Sequence, residues 1–333
     1  MIILPGNSVR WFLVLSMTKR TQRYKLGFYC LCFLGFLLVP LYGTAQLTYT
    51  ESEAGIQIKE GAENVLFYQT QAKSLDGEFL RNNYIHPLYA IDGTVITEDF
   101  PEDHPHHRGV FWAWHQVVIG DKNIGDSWEC KDFIWNINEF GISRSGENLN
   151  LMVSTHWQSP QWINPEGNQK PFLLENTKVS IYPRKENYRI VRFEIALLAL
   201  EKNLKIGGSE DEKGYGGFSL RLKLPEDIGF SSIEGTVTAQ NRAVEAGKWM
   251  NIFGSFTNKN APSGIALFSH QDSPGEKENW ILREKESMQN CVYPGRKSVA
   301  VSTINPTILK YSLLIYEGEM SGPAIQKIYK ELK

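Results

Sequence analysis

The sequence predicts an all-β protein, a large antiparallel β-sandwich closed by a short C-terminal helix. Three observations carry that prediction. Apolar and polar residues alternate through most of the chain, the period of two expected of half-buried strands. Short turns containing Gly, Asn or Pro separate the alternating runs. Helical spacing is clear only at the end, in "SGPAIQKIYKELK".

At the N-terminus, "MTKRTQRYK" (Met17 to Lys25) is basic and "LGFYCLCFLGFLLVPLYG" (Leu26 to Gly43) is apolar, with small residues at Gly43 and Ala45. That order predicts a secretory signal peptide over residues 1–45, complete in itself from Met17. The competing reading is a membrane anchor, which Pro40, Gly43 and the small-residue exit disfavour. Cleavage would leave an exported protein, periplasmic or extracellular. It would remove Arg10, Lys19, Arg20, Arg23 and Lys25 and no acid, taking 35 basic residues to 30 against 37 acidic ones, a net charge of −7. Such a chain is a poor partner for nucleic acid or an anionic membrane. No second long apolar run follows, so no membrane span is expected after cleavage. Cys130 and Cys291 remain. An oxidising compartment permits their disulfide, but nothing in the sequence brings them together. Residues 46–333 hold no linker, charge block or repeat, and read as a single sandwich domain.

In "YRIVRFEIALLAL", Val191, Phe193, Ile195 and Leu197 share one face, with Arg192 and Glu194 on the other. "TILKYSLLIYEG" repeats the pattern with Leu309, Tyr311, Leu313 and Ile315. "GENLNLMVSTHW", "TKVSIYPRKENYRIV" and "GFSLRLKLP" read likewise as strands. In the last segment Ile325, Ile328, Tyr329 and Leu332 follow helical spacing, and Ser321 and Pro323 supply start signals. So many strands exceed a small jelly roll and fit an extended sandwich.

Two clusters carry candidate chemistry. "DHPHHRGVFWAWH" places His104, His106, His107 and His115 within twelve residues, with Arg108, Trp112 and Trp114. Pro101 and Pro105 make the first part a loop or strand edge. In an extended chain His104 and His106 would share a side and His107 would face away. Imidazole is the natural acid or base near neutral pH. It is also a common metal ligand, so Asp103, His104 and His106 could hold a divalent metal, although their spacing matches no zinc motif. The second cluster, "GGSEDEKGYGGFSLRL" (Gly207 to Leu222), has glycines that would let a loop approach a ligand. Asp211, Glu212, Lys213 and Tyr215 there suit proton transfer and hydroxyl recognition. It lacks the ending of a phosphate loop, and its acids would repel phosphate. His86, His270 and Arg296 lie in further loop-like segments, and the many tryptophans could stack on sugar rings. No serine elbow or dinucleotide fingerprint is present.

"YIHPLY", "FPEDHPHHRGVFWAWH", "GGSEDEKGYGGFSLRL", "AGKWM" and "SMQNCVYPGR", in this order, resemble the bacterial PmoA-like family of unknown function, over roughly Asn82 to Gly318. The label borrows from a membrane-bound methane oxygenase, whose activity is not carried over. The resemblance implies a supersandwich similar to galactose mutarotase and a carbohydrate context. In mutarotase-type sites a His acid and a carboxylate base flank a sugar ring. By that likeness His107 or His104 would be the acid and Asp211 or Glu212 the base. Arg108 and Lys213 would stabilise oxyanion charge, while His86, Trp112, Trp114, His115, Tyr215, His270 and Arg296 would contact the ring. The expected activity is proton transfer on a sugar or oxidised sugar, of epimerase or lyase type and without an organic cofactor. A non-catalytic glycan-binding protein and a His-ligated metalloenzyme are the alternatives.

Overall fold

Two nine-stranded antiparallel sheets make the body of the protein. The computed structural model describes residues 45–257, 261–270 and 279–332; residues 1–44 of the expected leader lie outside them. From edge to edge the first sheet runs through Leu47–Glu51, Gly55–Glu60, Glu63–Gln69, Tyr84–Leu88, Val110–Trp114, Gly216–Leu220, Gln289–Val292, Asn279–Ile281 and Val244–Glu245. The second runs through Ile134–Ser145, Asn148–Gln158, Leu173–Ile181, Tyr188–Ala199, Thr307–Glu317, Ser263–Ser269, Trp249–Gly254, Gly229–Ser232 and Gly235–Thr236. The all-β sandwich read from alternation is what forms.

The inner faces follow the alternation. Val191, Phe193, Ile195 and Leu197 are buried, as are Leu309, Tyr311, Leu313 and Ile315. They meet Trp112, Trp114 and Phe218 of the first sheet in one core. The sheets touch through aromatic pairs: Phe218 on Tyr311 at 4.6 Å, Trp114 on Trp157 at 5.6 Å and Trp112 on Phe193 at 6.3 Å between centroids. A hydrogen-bonded polar group of Asn83, Thr155, Glu175 and Thr177 lies within this apolar layer. The Glu175 carboxylate is fully buried. It accepts from Trp112 Nε1 (2.9 Å), Trp157 Nε1 (2.9 Å), Asn83 Nδ2 (2.8 Å) and Thr177 Oγ1 (2.7 Å). A charge in that position needs such donors, because an unpaired carboxylate in an apolar core is strongly penalised. Burial raises the Glu175 pKa, and the four donors oppose the rise.

The C-terminal helix spans Gly322–Glu331, with Ser321 as its N-cap accepting from the Ala324 amide. Its Ile325 and Tyr329 lie with Ile190, Trp249, Phe268 and Leu314 on the outer face of the second sheet. The outer face of the first sheet is covered by loops instead. Alternation places Tyr84, Phe111, Ala113 and Ile281 there, in a separate apolar cluster with Trp128 and Met288. The candidate site stands on this face.

Cys130 and Cys291 are both buried free thiols, so the disulfide that export would permit is not formed. Cys291 faces the core between the sheets, whereas the Cys130 thiol accepts a hydrogen bond from Arg108 beneath the site loops (3.2 Å).

Candidate functional site

Strand pairing brings the two clusters together. The Gly216–Leu220 strand pairs with Val110–Trp114, setting Gly216 opposite Trp114. Beyond the sheet, Leu204–Gly207 pairs with Gln116–Ile119, setting Gly207 opposite Gln116. Residues 208–215 therefore form an excursion hung opposite His115. A third segment is hooked to the same place, because the Ser127 and Trp128 amides both donate to the Trp114 carbonyl (3.0 and 3.3 Å). The imidazole loop is tied on by an isolated antiparallel backbone pairing of Asp99 with Arg108 and by the Arg221 amide donating to Gly109 O at 2.7 Å.

Trp128 is the hub. His115 stacks on it at 5.3 Å, His107 meets its edge at 6.2 Å, and Tyr215 of the glycine-rich loop lies at 5.6 Å. The imidazole loop is turned rather than extended, since the His107 amide donates to His104 O at 2.8 Å. As a result His104, His106 and His107 are not on opposite sides but packed together. His104 stacks on His107 at 4.7 Å, and His106 meets His107 edge-on at 4.5 Å.

Three of these rings are each held by a carboxylate at Nδ1: His104 by Asp103 (2.6 Å), His115 by Asp126 (2.9 Å) and His106 by Glu129 (3.3 Å). A carboxylate at Nδ1 fixes the tautomer with the proton there and leaves the Nε2 lone pair to accept a proton. Burial, reinforced by the Arg108 charge, lowers the His106 pKa to about 3. Burial and the neighbouring imidazoles depress His107 further. His107 Nδ1 lies 3.4 Å from Arg221 Nη1; a guanidinium only donates, so that nitrogen is the acceptor. Burial and the Asp126 charge raise Glu129. His106 and His107 are thus kept neutral and are not proton reservoirs at neutral pH, so the acid role expected of His107 does not fit its surroundings.

Arg221 braces the loop from below, with Nε on Glu98 at 2.7 Å and its two terminal nitrogens on the Asp103 oxygens at 2.8 and 2.7 Å. Burial pushes Asp103 up, but hydrogen bonds from Arg221 and His104 outweigh it and hold this carboxyl low. Both oxygens of Asp103 are therefore engaged, which leaves the expected trio of Asp103, His104 and His106 short of a metal-binding shell. Among the described residues no group of three or more His, Cys, Asp or Glu is arranged to hold a metal ion.

Other expected residues fall elsewhere. Trp112 and Trp114 share a face, as alternation requires, but that face is the core. Their indole nitrogens donate to Glu175 and to Tyr293 O, so neither can stack on a ligand. His270 lies on the second sheet, with Nε2 2.7 Å from Ser312 Oγ and its ring on Tyr329. Arg108 is buried and donates to the carbonyls of His106 (3.1 Å) and Ser127 (3.1 Å) and to Cys130 Sγ (3.2 Å). It holds two loops together and cannot reach an oxyanion. Asp211 organises its own turn, accepting from Ser209 Oγ (2.6 Å) and the Lys213 amide (3.0 Å). Neither Asp211 nor the exposed Glu212 makes a hydrogen bond or ion pair with the clustered histidines.

The glycines of that loop serve its own packing. A Cβ on Gly208 would lie 2.1 Å from Gly214 O, and Gly214 has φ +65° with Arg296 N close by. This leaves Arg296 exposed beside the loop, with its carbonyl accepting from Gln116 Nε2 (2.8 Å). Lys213 lies over the Tyr215 ring at 5.5 Å. His86 is on the same outer face, bonded at Nδ1 to Thr97 Oγ1 (3.0 Å), and burial lowers its pKa to about 4.

Trp128 was among the tryptophans offered for ring stacking, but three other residues of the site were not anticipated. Asp126 and Glu129 flank Trp128 in "DSWECKD", where the acids around a tryptophan were the available signal. Arg283 donates to Tyr215 Oη at 2.7 Å, a pairing across 68 residues that no local pattern announces.

Comparison with known proteins gives one family match, to a family of unknown function whose profile covers residues 55–330. No curated protein matches the chain.

Proposed function

The chain belongs to DUF6807, a family of unknown function, and from that premise we propose that it is an exported carbohydrate-active enzyme catalysing proton transfer on a sugar or oxidised sugar. The observation that carries the reading is the set of three imidazole–carboxylate pairs, one of which stacks on Trp128. A binding surface has no use for several oriented bases, whereas epimerisation and β-elimination each need a base and an acid on one substrate carbon framework. His106 Nε2 takes the substrate proton, with Glu129 fixing the ring through Nδ1. His115, oriented by Asp126, stacks on Trp128, whose edge meets His107 beside His106, and exchanges the second proton. Tyr215, held by Arg283, supplies the aromatic contact that the buried tryptophans cannot. The resemblance to the PmoA-like family and to galactose-mutarotase-type sandwiches supports a sugar as the substrate, and the expected leader through Ala45 supports export.

The test is a panel of sugars, aldonates and uronates incubated with the protein in deuterated water and followed by NMR. Deuterium entering a sugar C–H position, or an unsaturated product, is expected. Both should be lost in His106→Gln and Glu129→Gln. Sugar binding without exchange in any panel member, unchanged in the two variants, would establish the glycan-binding alternative instead. Stoichiometric metal lost on His106→Gln would turn the reading to a metalloenzyme.

A further inference from the structure

On the far side of the sandwich, the outer face of the second sheet carries a hollow of about 180 Å³ that the proposed chemistry does not use. Strand register builds it. Lys178 pairs across to Glu194, and Glu194 to Lys310. One step along, Ser180 pairs to Arg192, and Arg192 to Ser312. His270 closes one side, its amide donating to Lys310 O at 3.1 Å and its Nε2 lying 2.7 Å from Ser312 Oγ. Among the described residues, Lys178, Arg192 and Lys310 thus share the hollow with the Glu194 carboxylate.

The central cation is half-buried on the sheet and flanked by serines rather than acids. Among the described residues neither Lys178 nor Arg192 makes a hydrogen bond or an ion pair. Holding like charges together in a partly desolvated recess is unfavourable unless an anion neutralises them. Arginine presents a planar fork that matches two oxygens of one oxyanion, and the flanking Lys178 adds point charge. When His270 Nε2 donates to Ser312, the serine hydroxyl proton is left to donate into the hollow.

We infer that this hollow is a binding site for a tetrahedral oxyanion, sulfate or phosphate, centred on Arg192 between Lys178 and Lys310. The anion could come free from solution or as an ester on a sugar, and the chemistry of recognition is the same. The site is separate from the imidazole cluster, so it stands or falls independently of the proposed reaction.

Calorimetric titration at low ionic strength tests it, using sodium sulfate, sodium phosphate, galactose 6-sulfate and galactose against the full chain. Saturable one-to-one binding of an oxyanion is expected. It should weaken about tenfold or more in Arg192→Ala and less in Arg192→Lys, which keeps the charge and loses the fork. Lys178→Gln, at a half-buried position, should also weaken it and guards against a folding defect in the arginine variants. Glu129→Gln should bind as the wild type does. Tighter binding of galactose 6-sulfate than of sulfate identifies the ester as the ligand, and equal binding identifies the free ion. Absence of saturable oxyanion binding, affinity unchanged in Arg192→Ala and Lys178→Gln, or galactose binding as well as its sulfate would overturn the inference.

Discussion

Acidification should destabilise this protein through imidazoles that the fold keeps neutral, and His106 sets the magnitude. Burial first, then the charges of Arg108, His104, His115 and Arg81, lower its pKa to about 3 from the ordinary 6.5. Between those values the unfolded chain binds the proton and the folded chain does not. Stability therefore rises with pH through that window, is fully present above the unfolded pKa, and is lost as pH falls. Between about pH 7 and pH 5 the difference for this one ring is about 2 kcal/mol, a large share of the roughly 5–15 kcal/mol that holds a domain folded. His86, lowered to about 4, adds a similar amount. Glu129 and Glu175, whose pKa values are raised, act in the opposite direction, so the contribution of His106 is read as a difference. Urea unfolding of the wild type and of His106→Gln across this pH range isolates it. The wild type should lose about 2 kcal/mol more than the variant. Parallel stability curves, or a His106 ring that titrates near 6.5 by NMR, would refute the reasoning.

Further outcomes follow from particular contacts. Glu175→Ala should cost about 3–5 kcal/mol in denaturant unfolding, because it strands two indole N–H groups and an amide in the core; a loss below about 1 kcal/mol would show that these donors find other partners. Trp112→Phe should cost about 1–3 kcal/mol by removing the indole donor to the same carboxylate while keeping most of the apolar contact. Arg108→Met should cost about 2–4 kcal/mol and loosen the 127–130 loop, read as faster amide exchange at Trp128 and Glu129. Glu129→Gln should lower turnover about 10²- to 10⁴-fold with its unfolding midpoint nearly unchanged, since this side chain is 42% exposed.

Much of the fold was legible because its signal is local. Alternation in "YRIVRFEIALLAL" and "TILKYSLLIYEG" identifies buried faces that match the inner faces of the second sheet. Ser321 and the spacing of Ile325 and Tyr329 define the terminal helix in the same way. The site was legible in part. Clustered histidines and the glycine-rich loop marked two of its segments, but their meeting depends on Gly207 pairing with Gln116, across 91 residues. The same alternation that placed Trp112 and Trp114 on one face could not tell core from ligand. That distinction comes from the second sheet, whose Trp157 and Glu175 lie behind them. Asp211 showed the converse error. An acid among glycines suits catalysis and also suits an Asx turn, and the backbone amides of Lys213 and Gly214 claim its carboxylate.

The most direct test is a crystal structure of the protein soaked with a substrate-like sugar or aldonate found in the exchange screen. The account predicts the ring beside Tyr215, with a carbon-bound hydrogen directed at His106 Nε2 and a hydroxyl within reach of His115. A sugar lodged instead in the cleft of about 820 Å³ beside Asn251 and Phe253 on the second sheet, with the imidazole cluster empty, would contradict it.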